Sequence, residues 1–249
     1  MKRRLMELSV GVAAAAMVAC AADPERQCVV ARAVSDGSTG SFAAAYALKD
    51  GQDPSRTCAQ LTAEPVGLQK YYSEDPAALD TVAIRSARVG RLLEQFSSRL
   101  GPGATQAPNS VGALGEVPGA DNFCSVPELS VARVEVPEDS AGPAQSFAYE
   151  WSNLRIYNTP QIPGTQFVAD LRYTENGCTA EYQVKGIWPV VNCGSGTPKT
   201  PNEALCDPYP DFEAGRLRGS GINPLFPVKC DPVAFICVLT GDVPSDKSP

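Results

Sequence analysis

Apolar and polar residues alternate over several short stretches of the chain, the period of a strand with one buried face. From Ser41 to Lys49, Phe42, Ala44, Tyr46 and Leu48 fall at alternate positions, and the turn pair Asp50-Gly51 ends the run. Val29 to Val34 reads as a shorter strand before a second turn pair, Asp36-Gly37. Leu129 to Val136 and Phe147 to Tyr157 read as strands too. In the latter, Phe147, Tyr149 and Trp151 have one parity and Leu154 and Ile156 the other, which predicts a strand covered on both faces. Val233 to Thr240 is the last predicted strand. Cys230 and Cys237 are an odd number of steps apart, face opposite ways on a straight strand, and are not expected to pair with each other.

Asn176-Gly177 is a strong two-residue hairpin signal. Counting outward, Tyr173 faces Ala180, Leu171 faces Tyr182, Ala169 faces Val184 and Phe167 faces Gly186, four pairs without a charge. On the other face Arg172 meets Glu181 and Asp170 meets Gln183. Both faces agree in one register, so residues 165–175 and 178–189 are predicted to form an antiparallel hairpin, with Cys178 on the apolar side.

Residues 75–100 carry two signals. Asp75 followed by Pro76 suits a helix start. Leu79, Val82, Val89, Leu93, Phe96 and Leu100 recur at three-and-four spacing, broken by Ser86, and Gly101 would close the helix. Against this, Thr81-Val82-Ala83-Ile84 favours a strand and Gly90 lies mid-segment, where it costs about 1 kcal/mol against alanine. The expectation is a helix over about 76–100, with Arg85, Arg88 and Arg91 on its solvated side.

The chain's 22 prolines and 21 glycines break it into short elements. The predicted fold is mainly β: an antiparallel, disulfide-stapled, β-sandwich-like domain or domains with at most one helix. Residues 20–100 form an N-terminal β-rich segment, 101–122 a Gly/Pro-rich linker or long loop, and 123–249 a C-terminal antiparallel β domain. Residues 194–227 read as a long loop containing Cys206, and the tail from Asp242 as frayed.

The N-terminus has a different design. Lys2, Arg3 and Arg4 precede a mostly apolar run from Leu8 to Ala19, which ends in small residues at Cys20. Charge, apolar core and small-residue exit are the parts of a secretory signal, here residues 1–19. The core is shorter than the ~20 residues a membrane-spanning helix needs. Without residues 1–19 the charged groups number 21 − 3 = 18 basic and 28 − 1 = 27 acidic, a net charge of −9. Such a balance excludes the basic footprint of a nucleic-acid binder. Nine cysteines less Cys20 leave eight: Cys28, Cys58, Cys124, Cys178, Cys193, Cys206, Cys230 and Cys237. An even number in an exported chain reads as four disulfides among 105 possible pairings, Cys28–Cys58 being the most local choice in the first half.

The chain contains no histidine. That removes Ser-His-Asp and Cys-His catalysis and the histidine zinc sites, and no CxxC pair supplies a thiolate alternative. A Ser–Lys pair or paired carboxylates are left, without a motif for either, so neither catalytic nor metal residues are expected, nor any cofactor. Asp207, Asp211 and Glu213 are acidic enough for calcium, but their spacing fits no calcium loop and a solvated loop is the simpler reading. Phe147, Tyr149, Trp151 and Trp188 could pave a sugar- or peptide-binding face, with Tyr149 and Trp151 at its centre. Burial in the core is the plainer account.

Met17-Val18-Ala19-Cys20 resembles the lipobox of bacterial lipoproteins, with Met17 where Leu is usual; the resemblance implies lipidation of Cys20 as the new first residue. Further along, Asp121-Asn122-Phe123-Cys124-Ser125-Val126-Pro127, Tyr149-Glu150-Trp151-Ser152-Asn153, Gly164 to Leu171, Tyr173 to Cys178, Ile187-Trp188-Pro189 and Cys193 resemble the MlpA-type lipoproteins of myxobacteria. That resemblance implies a lipid-anchored protein of the cell envelope, at the outer membrane, with a binding, assembly or structural role and no catalytic residues to transfer. The expected partners are the membrane, through the lipid, and another envelope protein. The alternative is a small-ligand binder using Tyr149 and Trp151.

Overall fold

The computed structural model describes residues 27–31, 41–101 and 106–245. Nine strands form one antiparallel sheet: β1 (Ser41–Leu48), β2 (Ala63–Tyr71), β3 (Thr81–Ser86), β4 (Ser110–Ala113), β5 (Phe123–Glu128), β6 (Ala132–Val136), β7 (Gln145–Asn158), β8 (Pro163–Glu175) and β9 (Cys178–Ile187). The order across the sheet is β4-β3-β2-β1-β9-β8-β7-β5, with β6 pairing β7 beyond the end of β5. The β1–β9 ladder, running from Ala43↔Ile187 to Leu48↔Tyr182, joins the two halves of the chain. Residues 101–122, expected as a linker or loop, contain β4, which pairs with β3.

The sheet curls until its ends meet. Ser130 N donates to Val111 O at 2.9 Å, Gly115 N donates to Ser125 O at 3.1 Å, and Ala107 and Arg133 exchange backbone bonds. Opposite parts of the sheet then face each other across one core, as the layers of a sandwich do, and few strand edges stay open. Gly112 permits the approach: a Cβ there would lie 2.2 Å from Glu128 O. The core holds Phe42, Leu68, Ile84, Tyr149, Phe167, Leu171 and Tyr182.

The predicted hairpin is present in its predicted register, from Phe167↔Gly186 to Tyr173↔Ala180, with Arg172↔Glu181 and Asp170↔Gln183 on the outer face. The strand Phe147 to Tyr157 differs from expectation. Leu154 and Ile156 do not cover a second face; both join Phe147, Tyr149 and Trp151 in the same core. A bulge between Ser152 and Arg155 shifts the register of β7 against β8 by one residue, and Asn153 at φ 51° takes up the extra step. One added residue reverses the parity of everything after it.

Residues 76–100 also differ. Thr81–Ser86 is strand β3, and the helix α1 begins only at Ala87 and ends at Gln95. Its cap is Ser86, not Asp75: the Ser86 hydroxyl accepts from Arg88 N at 3.1 Å. The β-branched run 81–84 pairs on both edges, with β2 and β4, and that pairing outweighs the helical spacing of the same residues. Val89 and Leu92 of α1 are buried, and Phe96, just beyond it, stacks on Phe147 at 6.2 Å.

Residues 188–245 form a small module on the outer face of the sheet. It has two two-stranded ribbons, β10 (Gly194–Ser195) with β11 (Thr200–Pro201), and β12 (Val228–Cys230) with β13 (Cys237–Leu239). Ile187, Ile222, Phe226, Ile236 and Val238 make its core against Ala43 and Ile162. The strand expected over Val233–Thr240 is limited to Cys237–Leu239, because residues 231–236 turn the chain back on itself. The stretch expected to fray from Asp242 is held as far as Ser245, the last described residue: Lys185 pairs with Asp242, and Ser245 exchanges two hydrogen bonds with the buried Gln166 side chain. Of the N-terminal strand expected at Val29–Val34, Val29 to Ala31 are described and are not in a strand; the rest, the Asp36-Gly37 turn and the signal 1–19 with Cys20 lie outside the described residues.

Candidate functional site

Eight cysteines form four disulfides: Cys28–Cys124, Cys58–Cys178, Cys193–Cys230 and Cys206–Cys237. The local Cys28–Cys58 pairing does not occur, since Cys28 lies over β5 and Cys58 over the end of the hairpin. Cys230 and Cys237 are not bonded to each other, although they sit opposite one another on neighbouring strands. The sulfurs of Cys193, Cys206 and Cys237 lie within 4.8 Å of one another. All three are held in S–S bonds, so none offers the thiolate a metal requires.

The strand alternation gives the sheet two distinct ends. At one end, here the tip, lie the Asn176-Gly177 turn, the start of α1 and the turn 137–144. At the other, the base, lie the start of β1, the loop 72–80, residues 114–122 and the start of β8.

The tip contains a buried polar network. Glu64 is 6% exposed, and its Oε1 accepts from the Tyr46 hydroxyl at 2.9 Å and the Ser86 hydroxyl at 2.6 Å. Its Oε2 accepts from Arg88 N at 2.8 Å, at the N-terminus of α1, where a helix favours negative charge. Arg91 stands 3.6 Å away. Nearby, Glu175 accepts from Tyr173 Oη at 2.8 Å and from Arg88 at 3.0 Å, and the Tyr149 and Tyr173 rings meet at 4.8 Å. Burial, then the Glu64 charge, pushes the Tyr46 phenol well above its ordinary range, and burial raises Tyr149 and Tyr173 as well. Every carboxylate here is already occupied by donors and each phenol is held protonated. The arrangement locks α1 to the sheet and presents no nucleophile to solvent.

The structure removes the proposed ligand face. Tyr149 and Trp151 are 1% and 2% exposed, Tyr149 packed against Tyr173 and Trp151 against Tyr46. The apolar side of the hairpin needs cover, and these rings supply it. The acidic loop is neutralised from within: Arg216 lies 3.9 Å from Asp207 and 3.5 Å from Asp211, while Glu213 is exposed. Arg88 and Arg91 are tied to Glu175 and Glu64, and Arg85 points outward from β3.

The base carries features that the sequence pattern did not single out. Residues 27–31 cross it, held by Gln27 N and Cys28 N to Glu116 O, Ala31 N to Gly164 O, and Val29 to the Asn158 amide. Gly164, at φ 65°, lets this segment in, because a Cβ would lie 2.2 Å from Val29 O. The buried Lys70 ammonium donates to Cys28 O at 2.7 Å and pairs with Asp80 at 2.8 Å. Around this crossing Tyr71, Tyr72, Leu79 and Val117 are exposed by 50%, 64%, 47% and 60%. Among the described residues the other exposed large apolar side chains are Val111 on edge strand β4 and five in the C-terminal module, and none lies at the tip. Two signals could have revealed this group: Tyr71-Tyr72 breaks the alternation of its strand, and Leu79 stands outside the β-branched run that follows it.

The MlpA family profile matches residues 40–189, the whole curled sheet. The protein named "Putative lipoprotein MlpA" of Myxococcus xanthus is 29% identical over 204 residues, covering 80% of this chain and 79% of that protein. No solved structure matches the chain.

Proposed function

The chain belongs to the MlpA family, and from that membership together with the Met17–Cys20 motif we propose that it is a lipoprotein of the cell envelope, anchored at the outer membrane by acyl chains on Cys20. Signal removal after Ala19 would make Cys20 the first residue. One acyl chain binds a membrane only marginally and several hold it firmly, at about 0.8 kcal/mol per buried CH₂. The folded part then has a binding or assembly role toward another envelope protein. The observation that carries the reading is the charged, apolar and small-residue approach to Cys20, in a chain whose relative is named a lipoprotein. The four disulfides fit an oxidising compartment outside the cytoplasm.

Mass spectrometry of the N-terminal peptide from a Gram-negative host tests it. The expected peptide starts at a triacylated Cys20, and a Cys20→Ser variant should leave the membrane fraction. A peptide beginning elsewhere with an unmodified thiol at Cys20 would refute the anchor. For the partner role, cross-linking in intact cells and purification from detergent should recover a discrete second envelope protein; recovery of the chain alone would count against it.

A further inference from the structure

We propose that the base of the sheet is a membrane-contacting face, with Tyr71, Tyr72, Leu79 and Val117 seated in the interface of a zwitterionic bilayer. The inference deepens the anchor reading and rests on it for the position of the lipid.

Three observations point the same way. The first is segregation within the sheet: among the described residues, four of the exposed large apolar side chains of the sheet and its loops lie at the base, one on edge strand β4 and none at the tip, the other five belonging to the C-terminal module. Scattered exposed apolar residues are ordinary, but a group on one end of a domain marks a contact surface. The second is the tether. Cys20 precedes Gln27 by 27 − 20 = 7 residues, a reach of at most about 25 Å when fully extended. Gln27 and Cys28 are bonded to Glu116 and Lys70, the immediate neighbours of Val117 and of Tyr71 and Tyr72. A lipid on Cys20 therefore draws this end of the domain, and not the tip, toward the bilayer. The third is chemistry. Tyrosine carries an apolar ring and a polar hydroxyl, the pattern enriched where membrane meets water. Tyr72 is further held in place by the Lys70 ammonium 4.7 Å above its ring. Glu74, Asp75 and Glu116 border the group, which favours neutral headgroups over anionic ones.

The test uses the full chain, produced with its lipid and reconstituted in phosphatidylcholine vesicles with brominated acyl chains. Tryptophan is introduced at the base as Tyr72→Trp and at the tip as Ser140→Trp, an exposed turn residue. Emission is measured against the unsubstituted chain, whose Trp151 and Trp188 give the baseline. Intact mass confirms four disulfides in each variant. The added emission of Tyr72→Trp should fall by roughly twofold or more, as a ring within the interface requires, and that of Ser140→Trp should not change. Flotation of the Cys20→Ser variant is run in parallel. If the acylated chain floats and both probes are quenched equally or not at all, the membrane face is overturned while the anchor stands. If Cys20→Ser floats as well as the parent and Tyr72→Trp is still quenched, the anchor fails and the face stands. If Tyr72→Trp is shielded from both the brominated lipid and aqueous acrylamide, protein covers the base, and the lipid assignment is overturned.

Discussion

Residues 41–187 and residues 188–245 are held together by different means. The curled sheet has long ladders, ten paired positions between β8 and β9 alone, and its two disulfides, one of them to Cys28 in the segment that crosses its base, join residues 96 and 120 apart in sequence. The C-terminal module has ribbons of two and three residues, and its disulfides span 37 and 31 residues. In the sheet, backbone bonding and a large apolar core accumulate together, and the bridges fasten elements already in place. In the module few backbone groups pair regularly and the core is small, so the two bridges define which residues are neighbours at all. The family match ends at residue 189, where one design gives way to the other.

Four measurements test this contrast, in order of decreasing expected effect. Replacing Cys206 and Cys237 with alanine removes about 3.7 kcal/mol of loop-closure stabilisation and the contacts it secures. The expected result is rapid proteolysis within 194–240 while the sheet keeps its amide protection. Concerted unfolding of both regions would erase the distinction. Next, Trp151→Ala should destabilise the sheet by about 3–5 kcal/mol in denaturant unfolding, because it empties the centre of a packed core. A loss below about 1 kcal/mol would mean the core tolerates a cavity there.

Alkali should act on the sheet in particular. Burial raises the phenols of Tyr46, Tyr149, Tyr173 and Tyr182, all of them in the sheet. A raised folded-state pKa gives stability that is complete below the unfolded value near 10 and is lost as pH climbs beyond it. Tyrosinate absorbance should therefore include a cooperative step above about pH 10 that coincides with loss of the near-ultraviolet dichroism of the core. The smallest effect is expected at Asp170 on the outer face. Partial burial opposes ionisation there, but Asn153 and Lys49 hold the carboxyl below its usual range. Its contribution is present above about pH 4 and fades as pH falls through the lowered folded value. Since Lys49 is well exposed, Asp170→Asn should cost no more than roughly 0.5 kcal/mol and less in high salt.

The same contrast governs how much of the fold is legible in the sequence. The β8–β9 register was legible because a two-residue turn fixes it and both faces then agree, so a one-step slip would have misplaced every pair. The mainly antiparallel β architecture was legible for the same reason. The bulge at Asn153 was not, because strict alternation has no symbol for an extra residue. The strand at 81–86 was hidden by an accident of spacing: Val82 and Val89 fit a helical stripe, and only the pairing with β2 and β4, remote in sequence, decides between periods. In the module local pattern had little to report, since its neighbours are set by bridges whose pairing no spacing reveals. The exposed group at the base was missed because its local signals, Tyr71-Tyr72 and Leu79, do not tell which loops share an end of the sheet, a property of topology.

One consequence follows from the segment that Gly164 admits. It brings residues 27–31 over the start of β8, and a few residues along the same strand Gln166 grips Ser245, so the first and last described stretches of the polypeptide leave from one pole. A tag inserted directly after Ser245 would crowd that pole. A reporter epitope spliced between Asn176 and Gly177 would project from the opposite one, clear of both.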